Sequence, residues 1–334
     1  MTTLALITLI LTIVFAVLFD LTNGWNDAAN AVATVISTRV LTPAKAIVFG
    51  AVLNFIGALF SSEVAKTVGH DIANASFLTG ATFLAAVMTA PFWITFCSRR
   101  GLPNSCSHAL LGALIGSVLA TAGAAGLRGE GIRKIFFGVA ICPIAGFTAG
   151  YVLARIVTVM TRNTRPRISA VIFGKLQLVS AAAMAFAHGT GDAQKAMGII
   201  TGALMTAGVL QGRFAIPWWV RLMCAAAMAL GTSLGGWHVM RTLGSRLAHL
   251  RTYQGFSAET AAATTILVNT LGGVPISTTH SITGAIMGVG TANGIKAVRW
   301  GVGKKIVFAW IVTFPVCIAA GALVRLLLKA CGMN

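Results

Sequence analysis

"LPNSCSHALLGALIG" occupies Leu102–Gly116, and a near-copy, "VPISTTHSITGAIMG", occupies Val274–Gly288. Pro103, Ser105, His108, Gly112 and Gly116 match Pro275, Ser277, His280, Gly284 and Gly288 without a gap. Each stretch holds a polar knot between two runs apolar enough to enter a bilayer. Two further pairs recur in the same order. "GWNDAANAVAT" (Gly24–Thr34) resembles "GTGDAQKAMGI" (Gly189–Ile199), and "AKTVG" (Ala65–Gly69) resembles "MRTLG" (Met240–Gly244). Chance gives one such match; three in one order indicate an internal duplication.

Composition fixes the class. Of 334 residues, 57% are hydrophobic and only 10% charged, against roughly 25% charged in soluble domains. Mean hydropathy is +0.86. The chain therefore reads as an all-α polytopic membrane protein with no room for a large soluble domain. No cationic segment precedes the first apolar run (4–19) and no small-residue cleavage site follows it, so a removable signal peptide is not expected. Net charge is +18, but the basic residues form short clusters between apolar runs. That pattern signals membrane topology and anionic headgroups rather than nucleic acid. The six cysteines form no close pair, and most lie in apolar runs. Neither a disulfide framework nor a zinc site follows.

The repeats suggest the architecture. The first, 1–160, reads as a helix broken near its glycines (about 4–37), a span (44–63), an apolar pair around the knot (77–97 and 104–121) and a span (133–159). After a basic linker at 161–168, the second, 169–334, repeats this with a broken helix (169–206), a span (217–240), a pair (257–272 and 276–290) and a span (306–328). Each apolar pair enters and returns as a re-entrant hairpin. Each half then crosses an odd number of times, which gives two inverted-topology repeats. With both termini outside, the inner loops hold Arg39, Lys45, Arg162, Arg165, Arg167, Arg241, Arg246, Arg251, Lys296, Arg299, Lys304 and Lys305. The outer loops hold fewer, so the positive-inside rule favours this orientation. Arg99 and Arg100 fit no loop of the scheme.

Asp27 and Asp192 each follow a glycine within an apolar helix. A mid-membrane carboxylate costs at least about 2.5–3.5 kcal/mol to insert, so it needs a partner or a task. It can hold a cation or proton, or cap a half-helix. Asn23, Asn26 and Asn30 flank Asp27; their carbonyls suit a hard cation such as Na⁺ and their amides an anion. In the second copy Gly191 replaces Asn26 and Lys195 replaces Asn30. Lys195 can bind an anion or pair with Asp192 three residues earlier. Ser105, Cys106 and Ser107 lie opposite Ser277, Thr278 and Thr279, each set after a proline and at the start of a helix. Hydroxyls and free N–H groups there bind anions, or cap the helix. The amides of Gln177 and Gln194 are within reach of a substrate on the second Asp helix. Glu63, Asp20 and Glu259 read as vestibule or interfacial residues. His108 and His280 read as buried hydrogen-bond partners rather than ligands.

These motifs resemble the inorganic phosphate transporter (PiT) family, which includes some sulfate permeases. "NGWNDAANAVAT", "VAKTVG", "GLPNSCSHALLGALIG", "QLVSAAAMAFAHGTGDAQKAMGII" and "VPISTTHSITGAIMG" carry the resemblance across nearly the whole chain. It implies an inverted-repeat secondary transporter, often a homodimer in the plasma (inner) membrane, that imports inorganic phosphate with Na⁺ or H⁺ and uses no other cofactor. Its substrate site would draw on Asn26, Ser105, Ser107, Ser277, Thr278 and Thr279, with Cys106, Gln194 and Lys195 beside them. Asp27, Asn23, Asn30 and Asp192 would couple the cation, Asp27 and Asp192 ligating Na⁺. Two departures matter: Cys106 stands where a hydroxyl is common, and Gly191 where many members have Asn. Proton coupling, or import of a neutral metal–phosphate complex with H⁺, therefore stays open, as does sulfate as the substrate. A membrane-embedded phosphoryl hydrolase built on His108 or His280 is the rival of another class; no metal-ligand cluster or Ser/His/Asp order supports it. A scaffold or receptor would not need duplicated polar breaks.

Overall fold

The computed structural model describes residues Thr2–Met333, which form helices and connecting turns with two isolated β-bridges. The first half contains α1 (Thr3–Ser37), α2 (Pro43–Ala58), α3 (Glu63–Lys66, continued by a π turn through Asp71), α4 (Gly80–Arg99), α5 (Cys106–Ala122) and α6 (Gly129–Thr161). The second contains α7 (Pro166–Thr206), α8 (Trp218–Leu234), α9 (Trp237–Arg241, continued by a π turn through Arg246), α10 (Thr252–Leu271), α11 (Thr278–Ala292) and α12 (Trp300–Ala330). The order repeats element for element, down to the single bridges Ala73–Leu127 and Ala248–Val298 that tie each π segment to the approach of the last helix. Among the described residues, α1, α4, α6, α7 and α12 are each long and apolar enough to cross a membrane, or seven spans if each bent pair counts as one. Phe136, Phe137, Phe308 and Ile311 stay exposed on the outer helices, as lipid-facing residues do. The chain is a multi-pass membrane protein.

Each half has a broken helix, but not where the glycines place it. α1 and α7 run unbroken for 35 and 41 residues. Gly24 and Gly189 serve crossing instead: a Cβ on Gly24 would strike the Met228 carbonyl of α8, and one on Gly189 the Asn54 carbonyl of α2. Small residues let the backbones touch, and the i→i−4 ladder continues through them. The breaks lie one element later. α2 turns by 67° into Glu63–Asp71, and α8 by 62° into Trp237–Arg246.

The two bent segments carry the "AKTVG" and "MRTLG" repeats, and the structure shows their use. Thr67 Oγ1 donates to the Gly273 carbonyl at 2.8 Å, and Thr242 Oγ1 donates to the Gly101 carbonyl at 2.9 Å. Each bent segment thus clasps the hairpin tip of the other half. Both tip glycines have positive φ, 63° and 68°, a region that favours Gly. The hairpins are exchanged in packing too. α5 lies on α12, where a Cβ on Gly116 would strike the Ile318 carbonyl; α11 lies on α6, where one on Gly288 would strike the Phe147 carbonyl.

Two apolar cores result. One gathers the start of α1, the end of α7, and α4, α5 and α8; the other gathers the end of α1, the start of α7, and α10 and α11. Polar residues 20–27 of α1 and 188–192 of α7 lie between them. Arg99 and Arg100, unplaced by the loop scheme, end α4 and share a cavity of about 170 Å³ with Arg241 and Arg246.

Candidate functional site

α1 and α7 run antiparallel: Thr38 Oγ1 donates to Gln177 Oε1 at one end (2.9 Å), and Thr8 shares a cavity with Ala203 and Thr206 at the other. Their crossing brings Asp27 and Asp192 together, each only 1% exposed. The tip of the second hairpin lies between them. Thr278 Oγ1 donates to Asp27 Oδ2 at 3.4 Å or Asp192 Oδ2 at 3.3 Å, and Thr279 Oγ1 donates to Asp27 Oδ1 at 3.1 Å. The first hairpin arrives through Cys106, whose Sγ accepts from Asn26 Nδ2 at 3.4 Å; the same amide donates to Asp27 Oδ1 at 2.6 Å. Asn30 Nδ2 donates to Thr279 Oγ1 at 2.9 Å.

Both hairpin helices start here. Ser105 and Ser277 are their N-caps, accepting from the amides of His108 (3.1 Å) and His280 (3.3 Å). The amides of Cys106, Ser107, Thr278 and Thr279 precede any intrahelical partner. Two helix N-termini therefore present N–H groups beside one carboxylate pair. Ser107 Oγ donates across to the Ile276 carbonyl at 2.8 Å and fastens the tips together.

Lys195 reaches back one turn and donates to Asp192 Oδ1 at 2.5 Å, 1% exposed. His188, one turn before Asp192, puts Nε2 3.6 Å from Asp192 Oδ2 and 3.8 Å from Asp27 Oδ2. Its orientation is set from behind: Nδ1 lies 3.0 Å from Asn54 Oδ1, and Asn54 Nδ2 donates to Thr232 Oγ1 at 2.9 Å. An amide oxygen only accepts, so Nδ1 carries the proton. The Nε2 lone pair of a neutral ring would then face two carboxylate oxygens. A cation among the three groups removes that repulsion. Asp27, His188 and Asp192 offer ligand atoms all within 4.8 Å of one another. A metal-ligand cluster is thus present, contrary to the reading of the sequence, because its three members converge from two helices. His188 was missed as a site residue; its i, i+4 spacing to Asp192 was the signal.

Four other residues are placed differently from the sequence reading. Gln194 is spent on structure: Oε1 accepts from Val64 N (2.8 Å) and Ala65 N (3.1 Å), and Nε2 donates to the Thr190 carbonyl (2.6 Å). It caps α3, and its amide is held to the Thr190 carbonyl of its own helix. Glu259 is fully buried rather than interfacial, accepting from Thr34, Ser180 and Gln177 at 2.5, 2.5 and 3.0 Å. That also removes Gln177, 15 residues or about 22 Å along α7 from Asp192. Asp20 is 0% exposed, with no hydrogen-bond partner for either oxygen among the described residues. Asn23, one turn before Asp27, is likewise buried with its amide unpartnered. His108 and His280 also depart from the reading as hydrogen-bond partners: they meet edge to face, centroids 4.4 Å apart, and their ring nitrogens have no hydrogen-bond partner among the described residues.

Known proteins resemble this chain in both sequence and fold. The profile of the phosphate transporter family matches residues 23–173 and 158–321. A Bacillus subtilis protein named "Probable low-affinity inorganic phosphate transporter" is 40% identical over 326 residues, covering 97% of this chain and 98% of the relative. A Rhizobium meliloti protein of the same name is 42% identical, covering 96% of both. A solved structure titled "The sodium-dependent phosphate transporter" superposes with a TM-score of 0.88 at 24% identity, over 97% of this chain and 99% of that one, which establishes likeness of fold.

Proposed function

The chain belongs to the phosphate transporter family, and from that premise we propose that it is a symporter importing inorganic phosphate across the plasma (inner) membrane. The observation that carries the reading is the convergence of two hydroxyl-capped helix N-termini on a buried pair of carboxylates. The N-termini supply N–H donors and positive dipole ends for an oxyanion. The carboxylates supply acceptors. Phosphate brings an O–H to donate to an acceptor at neutral pH and sulfate does not, so this pairing favours phosphate.

The same geometry supports coupling. Asp27 and Asp192 bring two negative charges against one ammonium, that of Lys195. An incoming phosphate adds at least one further negative charge to a dry interior, where unpaired charge is costly. A cation or proton arriving with it offsets the added charge. Asp27, Asn26 and Asn30 are the residues that would take Na⁺, since Asn26 Oδ1 and Asn30 Oδ1 are buried and unpartnered beside the carboxylate. Asn23, one turn along, extends the same polar face. Ser105, Cys106, Ser107, Ser277, Thr278 and Thr279 would face the anion. The two halves, 1–160 and 169–334, would act as inverted repeats that switch access around the site. The arginines at the end of α4 and in the α9 segment share one face, which supports an inner surface there and termini outside. A homodimer completes the proposal.

One observation favours a second reading. The Asp27–His188–Asp192 set suits a divalent metal better than Na⁺, since imidazole is a transition-metal ligand. A neutral metal–phosphate complex would use it. Uptake of labelled phosphate into proteoliposomes, with Na⁺, proton and divalent-metal gradients imposed separately, tests both. Concentrative uptake driven by one of the three identifies the partner; no uptake under any of them overturns the symport.

A further inference from the structure

We propose that Lys195 is a built-in counter-cation that takes the place of one coupling ion, so that only the first repeat loads a mobile cation. The inference rests on the symport reading and concerns its stoichiometry.

The argument is a comparison of the two halves at one site. In the first, Asp27 is surrounded by the makings of a cation cradle. Asn26 Oδ1 and Asn30 Oδ1 are buried without partners among the described residues, and the Thr279 hydroxyl lies 3.1 Å from the carboxylate. In the second, every one of these ligands is gone. Gly191 stands for Asn26, and a side chain there would meet the Thr270 hydroxyl, 3.0 Å from the place of its Cβ. Lys195 stands for Asn30. Ser107, the counterpart of Thr279, points its hydroxyl at the Ile276 carbonyl. What remains is a carboxylate with an ammonium 2.5 Å away and one neutral oxygen, the Thr278 hydroxyl, at 3.3 Å.

The loss of the neutral oxygens and the gain of the ammonium belong together. An ammonium is a donor and needs the carboxylate; it has no use for amide oxygens. A hard cation needs several oxygens, and one carboxylate shared with a lysine does not provide them. Lys195 is part of the chain, so unlike a mobile ion it cannot leave the site. The proposal assigns the Lys195 charge to Asp192, to which its ammonium donates, rather than to the anion.

The test counts ions rather than activity. Purified full-length protein is titrated with ²²Na⁺ at saturating phosphate, and bound Na⁺ per chain is compared between native protein and Lys195→Asn, which restores the first repeat's residue. With the ammonium gone, the Asp192 carboxylate, the restored amide oxygen and the Thr278 hydroxyl at 3.3 Å would make up a ligand set, so the variant is expected to bind one more Na⁺ per chain. An unchanged count in a variant that still binds phosphate overturns the proposal. Asn30→Lys is the converse and decides the matter if Lys195→Asn does not fold: it should bind one Na⁺ fewer than native, or, if native binds none, lose the response of uptake to a proton gradient. No change in either quantity overturns the proposal. Exchange of labelled for unlabelled phosphate by native proteoliposomes is run in parallel. Its absence would count against phosphate as the substrate, while the ion count would still report on Lys195.

Discussion

Replacing Asp27 by Asn leaves the shape of the site and removes its charge. Asp27 accepts from Asn26 at 2.6 Å and Thr279 at 3.1 Å, with His188 Nε2 at 3.8 Å. The variant keeps one acceptor oxygen for these donors, so the hairpin tip stays seated. What it loses is the charged ligand for the cation. Interactions with a charged partner contribute about 1.5–3 kcal/mol each, which is about 10- to 150-fold in affinity. Removing a negative charge also relieves repulsion of the phosphate. Asp27→Asn should therefore lose concentrative uptake at ordinary cation levels yet retain phosphate–phosphate exchange. Both are measured in the same proteoliposomes with labelled phosphate. Equal gradient-driven uptake by variant and native protein would refute the assignment, and loss of exchange together with uptake would point to the substrate site instead.

Three further outcomes are expected. Gln194→Met should leave the KM for phosphate within about twofold while lowering thermal stability in detergent, because two buried amides of α3 lose their acceptor at about 1–3 kcal/mol each. Gly189→Ala drives a methyl into the Asn54 carbonyl; overpacking costs about 1–3 kcal/mol, and displacing Asn54 turns His188 away, so both melting temperature and uptake should fall. Cys106 is 1% exposed, so a membrane-permeant thiol reagent should label it only as the site opens, with saturating phosphate slowing the reaction; an unchanged rate would remove the hairpin tip from the substrate path.

Much of this site is legible along the chain because its parts are local and duplicated. The Asp pair, the hydroxyl-rich tips and the three-residue spacing of Asp192 and Lys195 all sit within short matched stretches. The rest depends on partners distant in sequence. Whether Gly24 breaks a helix or lets one cross depends on Met228, about two hundred residues away. Glu259 looks interfacial until Thr34, Ser180 and Gln177 arrive from two other helices to hydrogen-bond it. His188 carries its spacing to Asp192 openly, but Asn54 is what aims it. Gln194 lies beside two site residues, and helical geometry turns it to another face, where α3 needs a cap.

The two threonine clasps bear on timing rather than on recognition. Thr67 holds the tip at Gly273 and Thr242 the tip at Gly101, with bonds of nearly equal length in nearly equal settings. If each access route opens by parting one clasp, the two openings start from the same energetic footing. A hydrogen bond of this kind contributes about 1 kcal/mol, about a fivefold bias in population. Trimming either hydroxyl would tilt an even see-saw and lengthen the dwell on one side of the membrane. The gradients alone would still set the direction of net transport; the clasps would set only how long each face stays open.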